Sequence, residues 1–228
     1  KKSVYIEFRN LAESRWYNAF SGSGFQYLPY INAILPLEGK SMEKILSGMK
    51  YNRRREIRIS VEEGATFGEA QSSQEVRSLY KILHDLYRKK VKVPLPPYEM
   101  FEAIFKSHAG KIFVVKHGDM VIGGAACLLF AQKTLYTLYY CGKRDYHPRI
   151  FPTHLAIVAA IRYCLENGFH TIDFMGAGKS NVEYGVRKYK AEFGCILPEY
   201  GRYLKINNPF IYRLGKFWIS TKKHYSRS

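Results

Sequence analysis

Apolar and polar positions alternate at the start of the chain. Val4, Ile6 and Phe8 fall on one side and Tyr5, Glu7 and Arg9 on the other, which predicts a half-buried strand over 4–10. An aromatic, turn-rich stretch over 20–32 follows, punctuated by Ser21-Gly22-Ser23-Gly24. Ser41 is placed to cap a short helix that carries Met42, Ile45, Leu46 and Met49 on one face. Over 51–60 two periods compete. Ile57, Ile59 and Val61 alternate as in a strand, but Gly64 is well placed just past a helix end and the arginines propagate naturally on a helix, so helix is expected. A short strand over 65–70 precedes Ser72-x-x-Glu75, a capping-box spacing that opens a helix with Val76, Leu79, Tyr80 and Leu83 inward.

Pro94-Leu-Pro-Pro97 breaks that helix, and Tyr98, Phe101, Ile104 and Phe105 mark another, ended by Gly110. Apolar strands over 111–116 and 120–130 are joined by the turn signal His117-Gly118-Asp119, and a tyrosine-rich strand covers 135–141. Thr153 is placed to cap a helix reaching Asn167 that is apolar almost all round and therefore buried. Next come a strand over 171–175, a glycine turn (Gly176-Ala-Gly178), a basic helix stopping at Gly194, a last strand over 199–206 and a basic tail to Ser228. From residue 111 the order is strand, strand, strand, buried helix, strand, helix, strand: a mixed sheet with helices packed on it, in an α/β (α+β) class.

Composition narrows the partners. Of 228 residues, 36 are Lys or Arg and 19 Asp or Glu, a formal charge of +17; 46% are hydrophobic, ample for a packed core. So basic a surface points to a polyanion: nucleic acid, an anionic membrane face or a phosphorylated substrate. Cys127, Cys141, Cys164 and Cys195 form no CxxC pair and sit in apolar or glycine-flanked contexts, as inert thiols of a cytoplasmic protein do. The seven histidines show no metal spacing, so no metal is expected; His84 and His108 read as surface residues. No stretch has the length of a transmembrane helix and no signal peptide is visible. The chain begins at Lys1, without Met, in strand-like sequence, which fits either a piece of a longer reading frame or a short protein of its kind.

Strand, glycine turn and basic helix over 170–194 make a place where backbone N–H groups and cations can meet an anion or a reacting carbonyl. Gly176-Ala-Gly178-Lys179-Ser180 is not a P-loop, because the Walker spacing needs glycine where Asp173 stands. The remaining readings are a tight turn that lets a ligand approach the backbone and a purely structural turn. Lys190 is either a cation aimed at substrate or a solvated lysine beside Arg187 and Lys188. Asp173 is either a structural carboxylate or a base for an attacking amine. Arg54, Arg55 and Arg58 suit bidentate phosphate binding, or form a solvated basic face. Tyr139, Tyr140 and Tyr146 read first as core or rim aromatics.

These residues carry a resemblance. The arginine segment Arg53-Arg54-Arg55-Glu-Ile-Arg58 with Glu63-Gly64, the pair Gly123-Gly124, Asp173-Phe-Met-Gly-Ala-Gly178, and above all Gly185-Val-Arg-Lys-Tyr-Lys190-Ala-Glu-Phe-Gly194 resemble the Fem family of peptidoglycan aminoacyltransferases, within the GNAT acyltransferase fold. Tyr189 stands where that family's motif has Phe. The resemblance covers most of the chain. It implies a GNAT-like mixed sheet flanked by helices, with residues 1–70 the closing elements of a first GNAT-like half and 71–228 a complete second one. It also implies transfer of an amino acid from aminoacyl-tRNA to an amine of a phosphorylated, lipid II-like precursor. Lys190 and Asp173 are then the catalytic candidates. Arg54, Arg55, Arg58, Gly176, Gly178, Lys179, Tyr189 and Tyr140 are the substrate-binding candidates. The basic surface would serve the tRNA and peripheral contact with the anionic inner face of the membrane. The stretch 142–152 lacks the [QR]xxGx[GA] pattern of GNAT enzymes that use coenzyme A and carries prolines, so no cofactor is expected. The alternatives are an N-acyltransferase using acyl-CoA or acyl-carrier protein on a sugar or lipid amine, and a GNAT-like RNA- or membrane-binding protein without catalysis.

Overall fold

A computed structural model describes residues 3–13 and 16–224, with side chains described up to 218; the end of the expected basic tail, 225–228, lies outside the described residues. The chain forms two compact units. One comprises Lys1–Asn32, Gly176–Gly185 and Leu197–Ser228, the other Ala33–Met175 and Val186–Ile196. The expected boundary near residue 70 falls within the second unit.

The first unit opens with β1 (Tyr5–Arg9), α1 (Tyr17–Gly22) and β2 (Gln26–Leu28). The strand over 4–10 is present, but its apolar face is turned outward. Ile6 and Phe8 are exposed while Glu7 is half-buried and accepts from Arg202 at 3.3 Å. The alternation identified the strand; an ion pair, not burial of the apolar side, set which face turned in.

Six strands form the main sheet. They are β3 (Tyr30–Pro36), β4 (Ala65–Glu69), β5 (Gly110–His117), β6 (Met120–Phe130), β7 (Thr134–Gly142) and β8 (Thr171–Lys179), in the order β3-β8-β7-β6-β5-β4. From β4 to β7 neighbours are antiparallel, and β7 and β8 are parallel. This is the mixed sheet the element order predicts. Between β3 and β4 lie α2 (Met42–Gly48), capped by Ser41 Oγ on the Lys44 N–H, and α3 (Tyr51–Glu62). The helix reading of 51–60 therefore holds, with Gly64 in the left-handed region at φ +87°.

Between β4 and β5 come α4 (Ser73–Leu86) and α5 (Tyr98–Lys106). Ser72 Oγ accepts from the Glu75 N–H, and the Glu75 carboxylate accepts from Gln71 N, so the capping box forms one residue early on its return arm. Val76, Leu79, Leu83, Phe101 and Ile104 pack with Ile112, Val114 and Ala126 of the sheet into one apolar cluster.

Buried α6 (Pro152–Glu166) links β7 to β8 as the crossover that a parallel pair requires. Its cap differs from expectation. Phe151 is the N-cap and Pro152 the first helical residue, because proline's fixed φ suits that position; Thr153 lies inside the first turn. After β8 come α7 (Gly185–Ala191), β9 (Arg202–Ile206) and α8 (Pro209–His224). Strands β1 and β2 pair antiparallel with either edge of β9.

Candidate active site

Strands β7 and β8 pair for only three residues: Thr134 with Thr171, Leu135 with Ile172 and Tyr136 with Asp173. Beyond that the ladder ends. The Thr137 hydroxyl reaches the Asp173 carbonyl at 3.4 Å, and β8 bends. The bend is at Met175, a non-glycine residue at φ +62°. Such a conformation is strained for an L-residue and persists only where its surroundings enforce it. Asp173 enforces it: its Oδ1 accepts from the Met175 N–H at 2.6 Å, and the carboxylate is 1% exposed. The expected turn at Gly176–Gly178 is instead continuous strand to Lys179, and the reversal is displaced to 180–184.

Lys190 of α7 meets this bend. It is 5% exposed, and its Nζ donates to the Phe174 carbonyl at 2.5 Å and the Met175 carbonyl at 3.4 Å. Neither sequence reading, a substrate-facing cation or a solvated lysine, anticipated burial. Burial depresses the ammonium pKa from 10.5 to about 8, opposed by the negative charge of Asp173. Lys190 therefore remains mostly charged at neutral pH, a cation fixed on the backbone of β8 where that strand leaves its neighbour.

Tyr189, the preceding residue, is half-buried, with its hydroxyl enclosed. Its ring stacks on Tyr140 of β7 at 6.4 Å and 15°, and burial holds the phenol well above its usual pKa. Its hydroxyl has no hydrogen-bond partner among the described residues. A buried donor without a protein partner is uncommon and marks a place for a ligand or water. Arg53 of α3 lies over the same ring, 5.3 Å from its centroid.

Arg53 is the residue the sequence reading left out of the site. Its Nε and Nη2 reach Glu192 Oε2 at 3.0 and 2.8 Å, and its Nη1 donates to Glu56 Oε2 and to His154 Nε2, the latter at 2.9 Å. With Nε2 accepting, neutral His154 carries its proton on Nδ1, which lies 3.5 Å from Glu56 Oε2 without forming a hydrogen bond. Burial first, and Arg53 next, depress the His154 pKa to about 4, so the ring is neutral in the physiological range. Arg53 thus ties α3 to the end of α7 and steadies Tyr189. The signal that could have singled it out is its place one turn before Ile57 on the inward face of α3, whereas Arg55 and Arg58 point outward.

The other predicted residues divide. Asp173, Lys190, Tyr189 and Tyr140 come together at the β7–β8 separation. Arg54 donates from Nη1 to the carbonyls of Ser47 and Met49 at 2.8 Å each, closing the end of α2. Arg55 and Arg58 are exposed, and Arg58 pairs with Glu62 at 3.5 Å. Gly176, Gly178 and Lys179 belong to the first unit. There a Cβ on Gly176 would lie 3.2 Å from Arg202 Nη2, and one on Gly178, at φ +86°, 2.8 Å from the Tyr184 ring. Gly178 is needed for packing in that unit, whereas at Gly176 only the mobile end of the Arg202 side chain would have to shift.

The start of α6 is where a pyrophosphate would sit on free N–H groups, as helix N-termini bind anions. Here most of the donors are spent. The Phe151 N–H is bonded to Ser60 Oγ, Pro152 has none, and those of His154 and Leu155 return to the Phe151 carbonyl. The Thr153 N–H is the one left over, beside Gly142, where a built Cβ would come 2.8 Å from Thr153 N. These residues do not fit a coenzyme A pyrophosphate. Nearby, a cleft of about 910 Å³ runs between α4 and the start of the 143–151 loop, with Lys81, Lys89, Lys90, Lys143 and Arg144 on its walls. Among the described residues no group of three or more His, Cys, Asp or Glu could hold a metal. Burial raises the Cys164 and Cys195 thiols to about 12, leaving them unreactive.

A family model described as the acetyltransferase (GNAT) domain matches residues 47–191, more than half of the chain. Among solved structures, FemX is similar at 15% identity with a TM-score of 0.70, over 93% of this chain and 74% of its own. The C-terminal (DUF2156) domain of a putative lysylphosphatidylglycerol synthetase from Agrobacterium fabrum is similar at 14% identity and a TM-score of 0.64, over 90% and 69%. L-PGS from Bacillus licheniformis gives 15% and 0.61, over 86% and 66%. At such identities the likeness is one of fold. No curated protein sequence matches the chain.

Proposed function

The chain belongs to the acetyltransferase (GNAT) domain family, and we propose that within it the chain transfers an aminoacyl group from aminoacyl-tRNA to an amine of a phosphorylated, lipid II-like peptidoglycan precursor. The family makes it an acyltransferase; the donor and acceptor are the proposal. The observation that carries it is the closed start of α6. Of the helix donors that a coenzyme A pyrophosphate needs, those of Phe151, His154 and Leu155 are bonded to Ser60 or to the Phe151 carbonyl, and Pro152 has none. A donor without that pyrophosphate, on a chain of formal charge +17, fits an aminoacyl ester on RNA.

In the reaction the acceptor amine attacks the ester carbonyl. A C–N bond forms, the carbonyl oxygen becomes a tetrahedral oxyanion, the C–O bond to the tRNA ribose breaks, and the ribose oxygen takes up the proton the amine loses. No covalent enzyme intermediate is required; the protein must position two substrates and stabilise negative charge. Lys190 supplies the fixed positive charge. Its longer contact, to Met175 O at 3.4 Å, is the one that a developing oxyanion displaces. Asp173 keeps the Met175 bend in place through its short bond to the Met175 N–H. Tyr189 offers its hydroxyl to the substrate, and Tyr140 supports the ring. Arg55, Arg58 and Lys179 remain candidates for outlying phosphate contacts, and the split of the chain into halves at residue 70 remains part of the proposal.

The test is transfer of labelled amino acid from charged tRNA to precursor, with phosphatidylglycerol as control acceptor because a fold neighbour is named a lysylphosphatidylglycerol synthetase. Amide product on the precursor supports the proposal. Intact donor together with thermal stabilisation by coenzyme A would remove it.

A further inference from the structure

Helix α8 begins in an ordered way. Asn208 Oδ1 accepts from the Ile211 N–H at 3.1 Å, Pro209 occupies the first helical position, and the Asn207 and Asn208 N–H groups bond the Val4 carbonyl. The Tyr212 ring packs edge-on against Tyr5 at 5.3 Å. Past Tyr212 every residue with a described side chain, 213–218, is exposed. Yet the exposed side chains are not those of a solvated helix. Phe210, Ile211, Leu214, Phe217 and Trp218 recur at i, i+1, i+4, i+7 and i+8, within about a third of the helix circumference. Phe217 is 69% exposed and Trp218 62%.

Charge decides what covers this stripe. Arg213 and Lys216 lie off it on the same helix, the sequence adds Lys222, Lys223 and Arg227, and no carboxylate occurs anywhere from 200 to 228. A second copy laid on the stripe would bring these cations together without a counter-charge. An acidic lipid surface supplies the counter-charge and an apolar layer at once. At 16 residues the helix is about 24 Å long, short of the ~30 Å a bilayer core requires, and no helix among the described residues meets the criteria for spanning a membrane.

We propose that α8 is a membrane-interface anchor. It lies in the plane of an anionic bilayer with Phe210, Leu214, Phe217 and Trp218 among the acyl chains and Arg213 and Lys216 at the lipid phosphates. The inference does not depend on the transfer reaction, and its readout is independent of turnover.

The experiment uses the full chain with Trp16→Phe, which leaves Trp218 as its sole tryptophan. Binding to vesicles of phosphatidylcholine with phosphatidylglycerol is compared with binding to phosphatidylcholine alone. The expected result is binding that needs the anionic lipid, a blue shift of Trp218 emission, and its quenching by lipids brominated on the acyl chain. Leu214→Ser with Phe217→Ser lowers vesicle affinity about tenfold or more. Arg213→Gln with Lys216→Gln lowers it by a similar factor, and that loss is matched by added salt. All four positions are exposed, so thermal melts stay unchanged. Equal binding by variants and parent, no binding by the parent, or self-association that the Leu214 and Phe217 changes abolish would each overturn the proposal.

Discussion

Helices α7 and α8 are both basic and lie within forty residues of each other in the sequence, yet they treat their cations in opposite ways. In α7 the lysine of the motif is withdrawn from water onto two main-chain carbonyls of β8. In α8 Arg213 and Lys216 stay in solvent and the apolar side chains are exposed with them. The difference lies in what each helix faces. A strand that has lost its neighbour presents carbonyls and Asp173, which together offset much of the cost of desolvating an ammonium. Where no such acceptors are available, the cations of α8 keep their hydration. Charge composition alone does not distinguish the two; the hydrogen-bond acceptors opposite the helix do.

The comparison can be broken most strongly at Lys190. Lys190→Ala is expected to lower the rate of aminoacyl transfer by about 10²–10³, the scale of losing one group that stabilises an oxyanion. It should also cost about 1–3 kcal/mol of stability, because the carbonyls of Phe174 and Met175 lose a buried donor. Its pH dependence sharpens the point. With the pKa near 8, transfer that relies on the ammonium declines as pH rises through 8, and the decline is absent from the residual activity of the variant. A rate profile across that range measures it.

Next in size is Arg53→Met, which leaves Glu192 and Glu56 without their half-buried partner. A loss of about 3 kcal/mol is expected in denaturant unfolding. Comparable in size, and dependent on pH, is His154. Its folded pKa, near 4, is below the unfolded 6.5, so the unfolded state binds the proton first. The stabilising contribution is whole above pH 6.5 and is lost as pH falls toward 4, about 3 kcal/mol in all. His154→Gln should flatten that part of the stability curve. The smallest effect is expected at Arg58, whose exposed pair with Glu62 contributes no more than about 0.5 kcal/mol. Arg58→Ala should leave melting unchanged, and a fall in tRNA affinity without a fall in stability would assign it to substrate.

Much of the fold was legible because local signals agreed. The capping box at Ser72, the turn at Gly118 and the apolar run of α6 each pointed to an element that is present. The helix α3 was legible against a competing strand period because Gly64 ends it. What escaped depended on contacts distant in sequence. The face of β1 was set by Glu7 meeting Arg202, some two hundred residues on. The path of β8 through Gly176 and Gly178 depends on a bend at Met175, where glycine content gave no hint. Of the site, Lys190, Asp173 and Tyr189 were named from the motif and do come together, with Tyr140, which read first as a core or rim aromatic, beside them. Arg53 and His154 were missed; the place of Arg53 one turn before Ile57, on the inward face of α3, was the signal that could have singled it out.

The central claim is tested most directly by single-turnover transfer from labelled aminoacyl-tRNA to a lipid II-like precursor, with the native chain and Lys190→Ala side by side. The expected result is amide product from the native chain and at least about a hundredfold slower transfer from the variant at saturating donor. Equal rates from the two proteins, or an untouched ester with acyl-CoA consumed in its place, would contradict it.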